Sequence, residues 1–200
     1  NKSLYGLVQA ANIWHNTIRD YLFSIGFTNF ESEPCLFVKR KRGQVNILIG
    51  LYVDDLVIAY RAPEHLSWFF KLFKMKFSFK DLGPLRNVLG VQISANGNGY
   101  TLSQRTYINS MSQKYGIHPH KRAKTPLISL KQLYEPTNTE PVSSVVYRSM
   151  IGALAYLSVG SRPDITYSIS ILASFCNAPT VTHLSAVQRL AVYVVNTAHY

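Results

Sequence analysis

The segment that decides the fold is VNILIGLYVDDLVIAY, which covers Val45–Tyr60. It contains two apolar runs rich in β-branched residues, Val45–Val53 and Leu56–Tyr60, which are separated by Asp54 and Asp55. Two such runs divided by two polar residues are typical of antiparallel strands joined by a tight turn. The segment therefore predicts a β-hairpin with both carboxylates at its tip.

The two adjacent carboxylates must reach water or a cation. Burying an ionised carboxylate inside an apolar run costs several kcal/mol, and a hairpin tip avoids that cost. A two-residue turn accepts Asn-Gly or Asp-Gly more readily than Asp-Asp, so turn geometry alone does not explain the pair. Mg²⁺ is commonly bound by one or two carboxylates together with substrate phosphates. The spacing leaves two interpretations open, a metal site and a solvated turn.

The segments around this hairpin alternate between helical and strand patterns. Apolar residues at helical spacing predict one helix over Gln9–Ile25 and another from Pro63 to about Phe77. A short strand is expected at Cys35–Val38, followed by a charged turn at Lys39–Gly43. A second hairpin is predicted from Val88–Ile93 and Tyr100–Leu102, which flank Asn96–Gly99.

The rest of the chain is predominantly helical in pattern. One helix is predicted over Thr106–Tyr115, with Gly116 as its C-terminal cap. Ile117–Val142 contains four prolines and is expected to be a loop or linker. Three more helices are predicted over Ser144–Val159, Asp164–Cys176 and Thr182–Val195, with Arg162-Pro163-Asp164 capping the second and His183 in a structural role. The fold class that follows is α+β, ending in a helical region.

Composition excludes several classes of protein. The chain has 200 residues, of which 47% are hydrophobic, and this is too apolar for a disordered protein. Its two cysteines, Cys35 and Cys176, rule out a disulfide scaffold and are expected to be reduced core thiols. No apolar run reaches the roughly 18 residues of a membrane span, so an intracellular protein with no membrane partner is expected.

The positive charge is concentrated in the middle of the chain. Lys and Arg total 21 against 10 acidic residues, and 16 of these cations lie between Lys39 and Lys131 with four acids. The cations flank Asp54 and Asp55 in sequence and are interleaved with aromatic residues. Such a pattern is typical of nucleic-acid binding, and a merely solubilising surface is the alternative.

The acidic hairpin resembles a known motif. Tyr52-Val53-Asp54-Asp55 between two apolar strands is similar to the Tyr-x-Asp-Asp hairpin of reverse transcriptases. Other segments resemble the copia-type LTR retrotransposon polymerases, in order and at compatible spacing: Ser3–Leu7 with Gln9, Ala10 and Trp14; Lys80–Leu85; Leu89–Val91; Tyr147–Gly152; and Arg162–Ile165. The similarity spans nearly the whole chain. It departs from the family where Val8, Ala11 and Asn12 replace Lys, Pro and Arg, which is expected to weaken phosphate binding.

The resemblance implies a right-hand polymerase fold. An antiparallel palm sheet with packed helices would be followed by a mostly helical thumb or connection region. On this basis residues 1–93 are expected to form a palm portion. Residues 94–142 are expected to hold a hairpin, a helix and a Pro-containing linker, and residues 143–200 the helical region.

The resemblance also implies roles for individual residues. Asp54 and Asp55 correspond to the catalytic carboxylates that hold Mg²⁺. Gln9 and Tyr52 fall where the family binds the incoming nucleotide, and Leu89 and Gly90 fall in a hairpin that supports the primer end. Without the resemblance, Gln9 would be interpreted as a polar residue at a helix start and Gly90 as a strand glycine.

The implied function is that of an incomplete Pol polyprotein fragment of an RNA-directed DNA polymerase, which is expected to be inactive in isolation. Its cofactors would be two Mg²⁺ ions, shared with an aspartate upstream of this chain, since no acid precedes Asp20. Its partners would be an RNA template, a DNA primer, deoxynucleoside triphosphates, and the upstream palm and fingers and downstream RNase H of the polyprotein. It would be intracellular and cytoplasmic, with virus-like particles as a further location if the element is functional. The alternatives are a non-catalytic nucleic-acid-binding remnant of a decayed element and an α+β scaffold with no nucleic-acid role.

Overall fold

The computed structural model describes residues 9–97, 99–119, 123–127 and 129–199. The segment Ser3–Leu7, which carries part of the family resemblance, and Val8 lie outside the described residues. The described part is α+β, and both of its sheets are antiparallel, as predicted. It divides into two compact units between Gly83 and Pro84.

The first unit is a four-stranded sheet with two helices. Its helices are α1 (Ala10–Ser24) and α2 (Pro63–Lys74), and its strands are β1 (Thr28–Asn29), β2 (Leu36–Lys41), β3 (Gln44–Tyr52) and β4 (Asp55–Tyr60). The strands follow the order β1-β2-β3-β4. The predicted helix at the start of the chain and the predicted hairpin of β3 and β4 are confirmed.

Alternation along β3 gives this unit its core. Ile47, Ile49 and Leu51 are buried, because successive side chains of a strand point to opposite faces. They belong to a cluster that also contains Ile18, Leu22, Phe27, Phe37, Phe69 and Phe73. The sheet is therefore covered on one face by α1 and α2, and the ends of its hairpins remain available to solvent.

Several boundaries in this unit differ from prediction, among them the hairpin turn, which is Val53-Asp54 and not Asp54-Asp55 because Tyr52 pairs with Asp55. The charged turn predicted at Lys39–Gly43 is wrong in extent, because β2 continues to Lys41 and leaves Arg42 and Gly43 as the turn. Both turn residues have positive φ, 51° and 78°, as a type I′ hairpin turn requires. The second helix begins at Pro63 as predicted but ends at Lys74, three residues before Phe77.

The second unit combines a small sheet with helices. Its strands are β5 (Asn87–Val88), β6 (Val91–Asn96) and β7 (Gly99–Ser103). Its helices are α3 (Arg105–Tyr115), α4 (Leu130–Tyr134), α5 (Ser144–Gly160), α6 (Thr166–Ala173) and α7 (Val181–Asn196). The predicted hairpin around Asn96–Gly99 is confirmed by the pairing of β6 with β7. Gly116 ends α3 with a φ of 62°, as its predicted role as a cap requires.

Three predictions in the second unit are corrected. The strand predicted over Val88–Ile93 is interrupted by a turn at Leu89 and Gly90, so it is two paired strands. The predicted loop Ile117–Val142 contains α4, which forms because Leu133 is fully buried. The helix predicted over Asp164–Cys176 is a 3-10 turn, Pro163–Ile165, followed by the shorter α6.

Two buried polar side chains in the helical part, Arg162 and His183, are paired. Arg162 is 3% exposed and forms a two-pronged ion pair with Asp164, with N–O distances of 2.9 and 2.7 Å. Asp164 thus pairs with Arg162 instead of capping the helix through its side chain. His183 contacts Thr180 and the carbonyl of Leu133, which confirms its structural role. None of the described helices combines the length and apolarity needed to cross a bilayer.

Candidate functional site

The acidic pair lies at the tip of the β3–β4 hairpin. Tyr52 pairs with Asp55 across the two strands, so Val53 and Asp54 form the two-residue turn. Val53 has a φ of 53°, whereas Asp54 is not among the residues with positive φ. A positive φ at the first turn position alone is the pattern of a type II′ turn, in which glycine is preferred at that position. A β-branched residue in this conformation costs about 1–3 kcal/mol, which the surrounding contacts must offset.

Trp14 of α1 contacts this turn directly. Its Nε1–H donates a hydrogen bond of 2.6 Å to the carbonyl oxygen of Val53. The indole ring packs edge-on against Phe77, with ring centroids 5.6 Å apart. Helix α1 is anchored in turn by Ile18 and Leu22, which are fully buried. The position of the acidic tip is thereby linked to the core of the first unit.

The side chains at the tip are exposed to solvent. Tyr52 is 55% exposed and Val53 is 57% exposed, and Asp54 and Asp55 are also in the exposed class. Among the described residues, no side-chain hydrogen bond or ion pair engages either carboxylate. The two carboxylates therefore have their oxygen atoms available to a ligand from solution.

The donor set at the tip fits Mg²⁺ in part. Two neighbouring carboxylates supply the hard oxygen ligands that this ion prefers, and Mg²⁺ usually retains water and substrate oxygens for its remaining positions. Within the described ranges no group of three or more His, Cys, Asp or Glu side chains lies close enough together to hold a metal. Asp54 and Asp55 thus fit as two ligands of such an ion.

The basic residues that precede the hairpin in sequence do not surround the acidic pair. Arg40, Lys41 and Arg42 are exposed at the β2–β3 end of the sheet. Strand β3 separates this end from the acidic tip, and its nine residues span about 26 Å. The sequence predicted a basic environment around the carboxylates because the cations are close to them in sequence. In the structure, the two groups lie at opposite ends of a strand.

Lys39 has a structural role in spite of its charge. Its ammonium group donates to the carbonyl of Ile25 at 2.5 Å and lies 4.5 Å from the centre of the Trp68 ring. Desolvation by burial lowers the pKa of Lys39 from its ordinary value of 10.5. The exposed positive charge at this end of the sheet therefore comes from Arg40, Lys41 and Arg42.

Gln9 occupies the N-terminal boundary of α1. It is exposed, its backbone carbonyl accepts the amide of Ile13, and its side chain makes no capping hydrogen bond. Gln9 lies five residues before Trp14, which contacts the acidic hairpin. The geometry agrees with a polar residue at a helix start and leaves its side chain available.

Leu89 and Gly90 form a two-residue turn in the second unit. Their φ values are 49° and 76°, and the turn joins β5 to β6. The hydroxyl of Tyr156, on α5, donates to the carbonyl of Leu89. Leu89 is 49% exposed. The residues matched to a primer-supporting hairpin therefore lie in a hairpin, and α5 supports its turn.

The sequence alone assigned no functional role to Trp14 or Tyr156, the two residues that contact these turns. Each donates a hydrogen bond to the carbonyl of a turn residue with positive φ, Val53 and Leu89 respectively. Trp14 lies within a segment that resembles the family. The one sequence signal that could have identified these two residues is their chemistry, because a half-buried indole or phenol needs a hydrogen-bond partner for its polar hydrogen.

Comparison with known proteins agrees with this geometry. Residues 1–129 match the model of a family described as reverse transcriptase (RNA-dependent DNA polymerase). The chain is 34% identical over 199 residues to the retrovirus-related Pol polyprotein from transposon RE1 of Arabidopsis thaliana, covering 100% of this chain and 13% of that protein. It is 34% identical over 195 residues to a putative transposon Ty5-1 protein of Saccharomyces cerevisiae, covering 97% and 63% respectively.

A third relative extends the comparison to another plant. The retrovirus-related Pol polyprotein from transposon TNT 1-94 of Nicotiana tabacum is 31% identical over 205 residues, which cover 98% of this chain and 15% of that protein. The chain thus spans less than two thirds of the length of each of these relatives. No solved structure matches the chain.

Proposed function

Because the chain belongs to the reverse transcriptase family, and within it to the copia-type retrotransposon polymerases, we propose that it contributes two metal-binding carboxylates to an RNA-directed DNA polymerase. The observation that carries the proposal is the exposed Asp54-Asp55 pair at the tip of a hairpin that Trp14 holds. Residues 1–93, which include the first unit with its antiparallel sheet and helices, are assigned to the palm. The helices α5 to α7 are assigned to the thumb or connection region.

In this proposal Asp54 and Asp55 bind Mg²⁺ through their carboxylate oxygens. Mg²⁺ held by these carboxylates would supply activation of a primer 3′-hydroxyl and stabilisation of the departing pyrophosphate. A third carboxylate, which the resemblance to the family implies, is assigned to an upstream palm segment. The exposed ring of Tyr52 and the side chain of Gln9 contact the incoming nucleotide, and the Leu89-Gly90 turn contacts the primer.

The test is primer extension on an RNA template. The chain, joined to an upstream palm segment that supplies an aspartate, is expected to incorporate deoxynucleotides in the presence of Mg²⁺. Asp54→Asn and Asp55→Asn should each abolish incorporation, because an amide is a neutral and weaker ligand. The matched control is Glu64→Gln, an exposed acid of α2 in the same unit. Retained extension by Asp54→Asn would overturn the assignment.

A second candidate function is nucleic-acid binding without catalysis. It is favoured by the exposed cations Arg40, Lys41 and Arg42, which lie at the opposite end of the sheet from the acidic pair. Cations that contact phosphates release counterions, so the affinity for a primed template should fall steeply as salt rises. The double variant Lys41→Glu with Arg42→Glu should weaken binding and reduce the salt dependence. Binding with no incorporation by the joined chain would favour this function over the polymerase.

A further inference from the structure

We infer that Trp14 is a positioning residue for the acidic pair, because its indole N–H fixes the peptide that immediately precedes Asp54. The hydrogen bond of 2.6 Å ends on the carbonyl oxygen of Val53, which belongs to the central peptide of the turn. The inference rests on the proposed role of Asp54 and Asp55 as metal ligands. It adds to that role a residue on a different element, helix α1.

The central peptide is the part of a two-residue turn that can flip. Type I′ and type II′ turns share a positive φ at the first position and differ by rotation of this peptide, which makes φ positive at the second position in type I′. Two other tight turns, Arg42-Gly43 and Leu89-Gly90, have positive φ at both positions, with glycine second. At Val53-Asp54 the second position is not positive. A flip here would force Asp54 into the left-handed region and redirect its carboxylate.

The sequence of the turn does not favour the observed conformation by itself. Type II′ turns prefer glycine at the first position, where this chain has the β-branched Val53. The bond from Trp14 is the one contact described for the Val53 carbonyl that selects between the two peptide orientations. If the indole only packed against its neighbours, it would need the contact with Phe77 but no hydrogen-bond acceptor on the turn. The hydrogen bond and the ring contact can therefore be separated by substitution.

The variant Trp14→Phe keeps an aromatic ring beside Phe77 and removes the N–H donor. The measurement is the affinity of the 200-residue chain for Mn²⁺, used as a spectroscopic substitute for Mg²⁺, from the electron paramagnetic resonance signal of the free ion. Substitution of groups that orient metal ligands typically costs about tenfold or more in metal affinity. We expect Trp14→Phe to bind Mn²⁺ about tenfold more weakly, with Asp54→Asn as the reference for loss of the site.

A second substitution distinguishes orientation from packing. Val53→Gly places at the first turn position the residue that type II′ prefers, so the turn no longer depends on Trp14. The double variant Trp14→Phe with Val53→Gly should recover most of the Mn²⁺ affinity. If affinity stays low in the double variant, the indole acts through packing and the inference is overturned.

A metal-free measurement tests the hydrogen bond itself. In the wild-type chain the indole N–H of Trp14 should exchange with solvent more slowly than that of Trp68, which has no hydrogen-bond partner among the described residues. Equal exchange rates would overturn the inference, and this test does not require Trp14→Phe to fold. Equal Mn²⁺ affinities of wild type and Trp14→Phe, with weaker binding by Asp54→Asn, would also overturn it. Equal affinities of wild type and Asp54→Asn would instead refute the proposed metal site.

Discussion

The hydroxyl of Tyr156 donates a hydrogen bond to the carbonyl of Leu89, across 67 positions in sequence. Tyr156 lies on α5, and Leu89 begins the left-handed turn between β5 and β6. The ring of Tyr156 is itself held by Tyr107, with ring centroids 4.6 Å apart. A turn that local propensity does not favour is thus supported by the helical part of its own unit.

Loss of this hydroxyl should destabilise the second unit. Tyr156→Phe keeps the ring contact with Tyr107 and removes the donor to Leu89. Since a typical intramolecular hydrogen bond contributes about 1 kcal/mol, the free energy of unfolding should fall by about that amount in urea titrations. Tyr100→Phe is the matched control, because Tyr100 lies on β7 and is 76% exposed. Equal stability of Tyr156→Phe and wild type would show that the bond contributes nothing.

The glycine next to Leu89 should not tolerate a side chain. Gly90 has a φ of 76°, and a Cβ added there would lie 2.6 Å from the hydroxyl oxygen of Tyr156. Gly90→Ala should therefore lower the free energy of unfolding by about 1–3 kcal/mol, from backbone strain and the close approach. Gly99→Ala is the control, because an added Cβ there meets no atom within 4 Å and φ is not positive. A neutral Gly90→Ala would contradict this account of the turn.

The sequence predicted helices and hairpins where periodicity and capping residues agree. The helix of Ala10–Ser24, the β3–β4 hairpin and the Gly116 cap all follow from local pattern. The position of the acidic pair at a hairpin tip follows from the same local logic. These features need no information from distant parts of the chain.

The features that sequence missed depend on contacts between distant residues. Helix α4 is short and has weak periodicity, and it forms where Leu133 is buried and its carbonyl contacts His183, 50 positions away. The break in the strand predicted over Val88–Ile93 reflects a Leu-Gly turn that Tyr156 supports. At the candidate site, the link from Trp14 to Val53 spans 39 positions. Local pattern carries no information on such pairings.

Acid should weaken the fold through Asp164. The hydrogen bond from Arg162 lowers the pKa of Asp164 below its ordinary value of 3.8. A carboxyl group whose pKa is lowered by folding stabilises the protein above its unfolded pKa, and this stability is lost as the pH falls through the folded pKa. The free energy of unfolding should therefore fall as the pH drops below about 4, and Asp164→Asn should flatten this dependence.

The same variant should be costly at neutral pH. Arg162 is 3% exposed, so Asp164→Asn leaves a buried guanidinium without its carboxylate and should cost about 2 kcal/mol. The control is Asp20→Asn, which breaks the exposed Arg19–Asp20 pair and should change stability by less than about 0.5 kcal/mol. The measurement is urea unfolding from pH 2 to pH 7. Parallel pH curves for wild type and Asp164→Asn would exclude Asp164 as the source of the acid sensitivity.

Metal binding at the acidic tip should be visible as added stability. A ligand that binds the folded chain alone stabilises it by about 2.7 kcal/mol at a concentration 100 times its Kd. Mn²⁺ should therefore raise the Tm of the wild-type chain and leave that of Asp54→Asn unchanged. Without metal, Asp54→Asn should be at least as stable as wild type, since the substitution removes repulsion between neighbouring charges and no described partner is lost. An equal rise in Tm for both proteins would place the Mn²⁺ elsewhere, and a loss of stability in metal-free Asp54→Asn would mean that the carboxylate has a structural role in the turn.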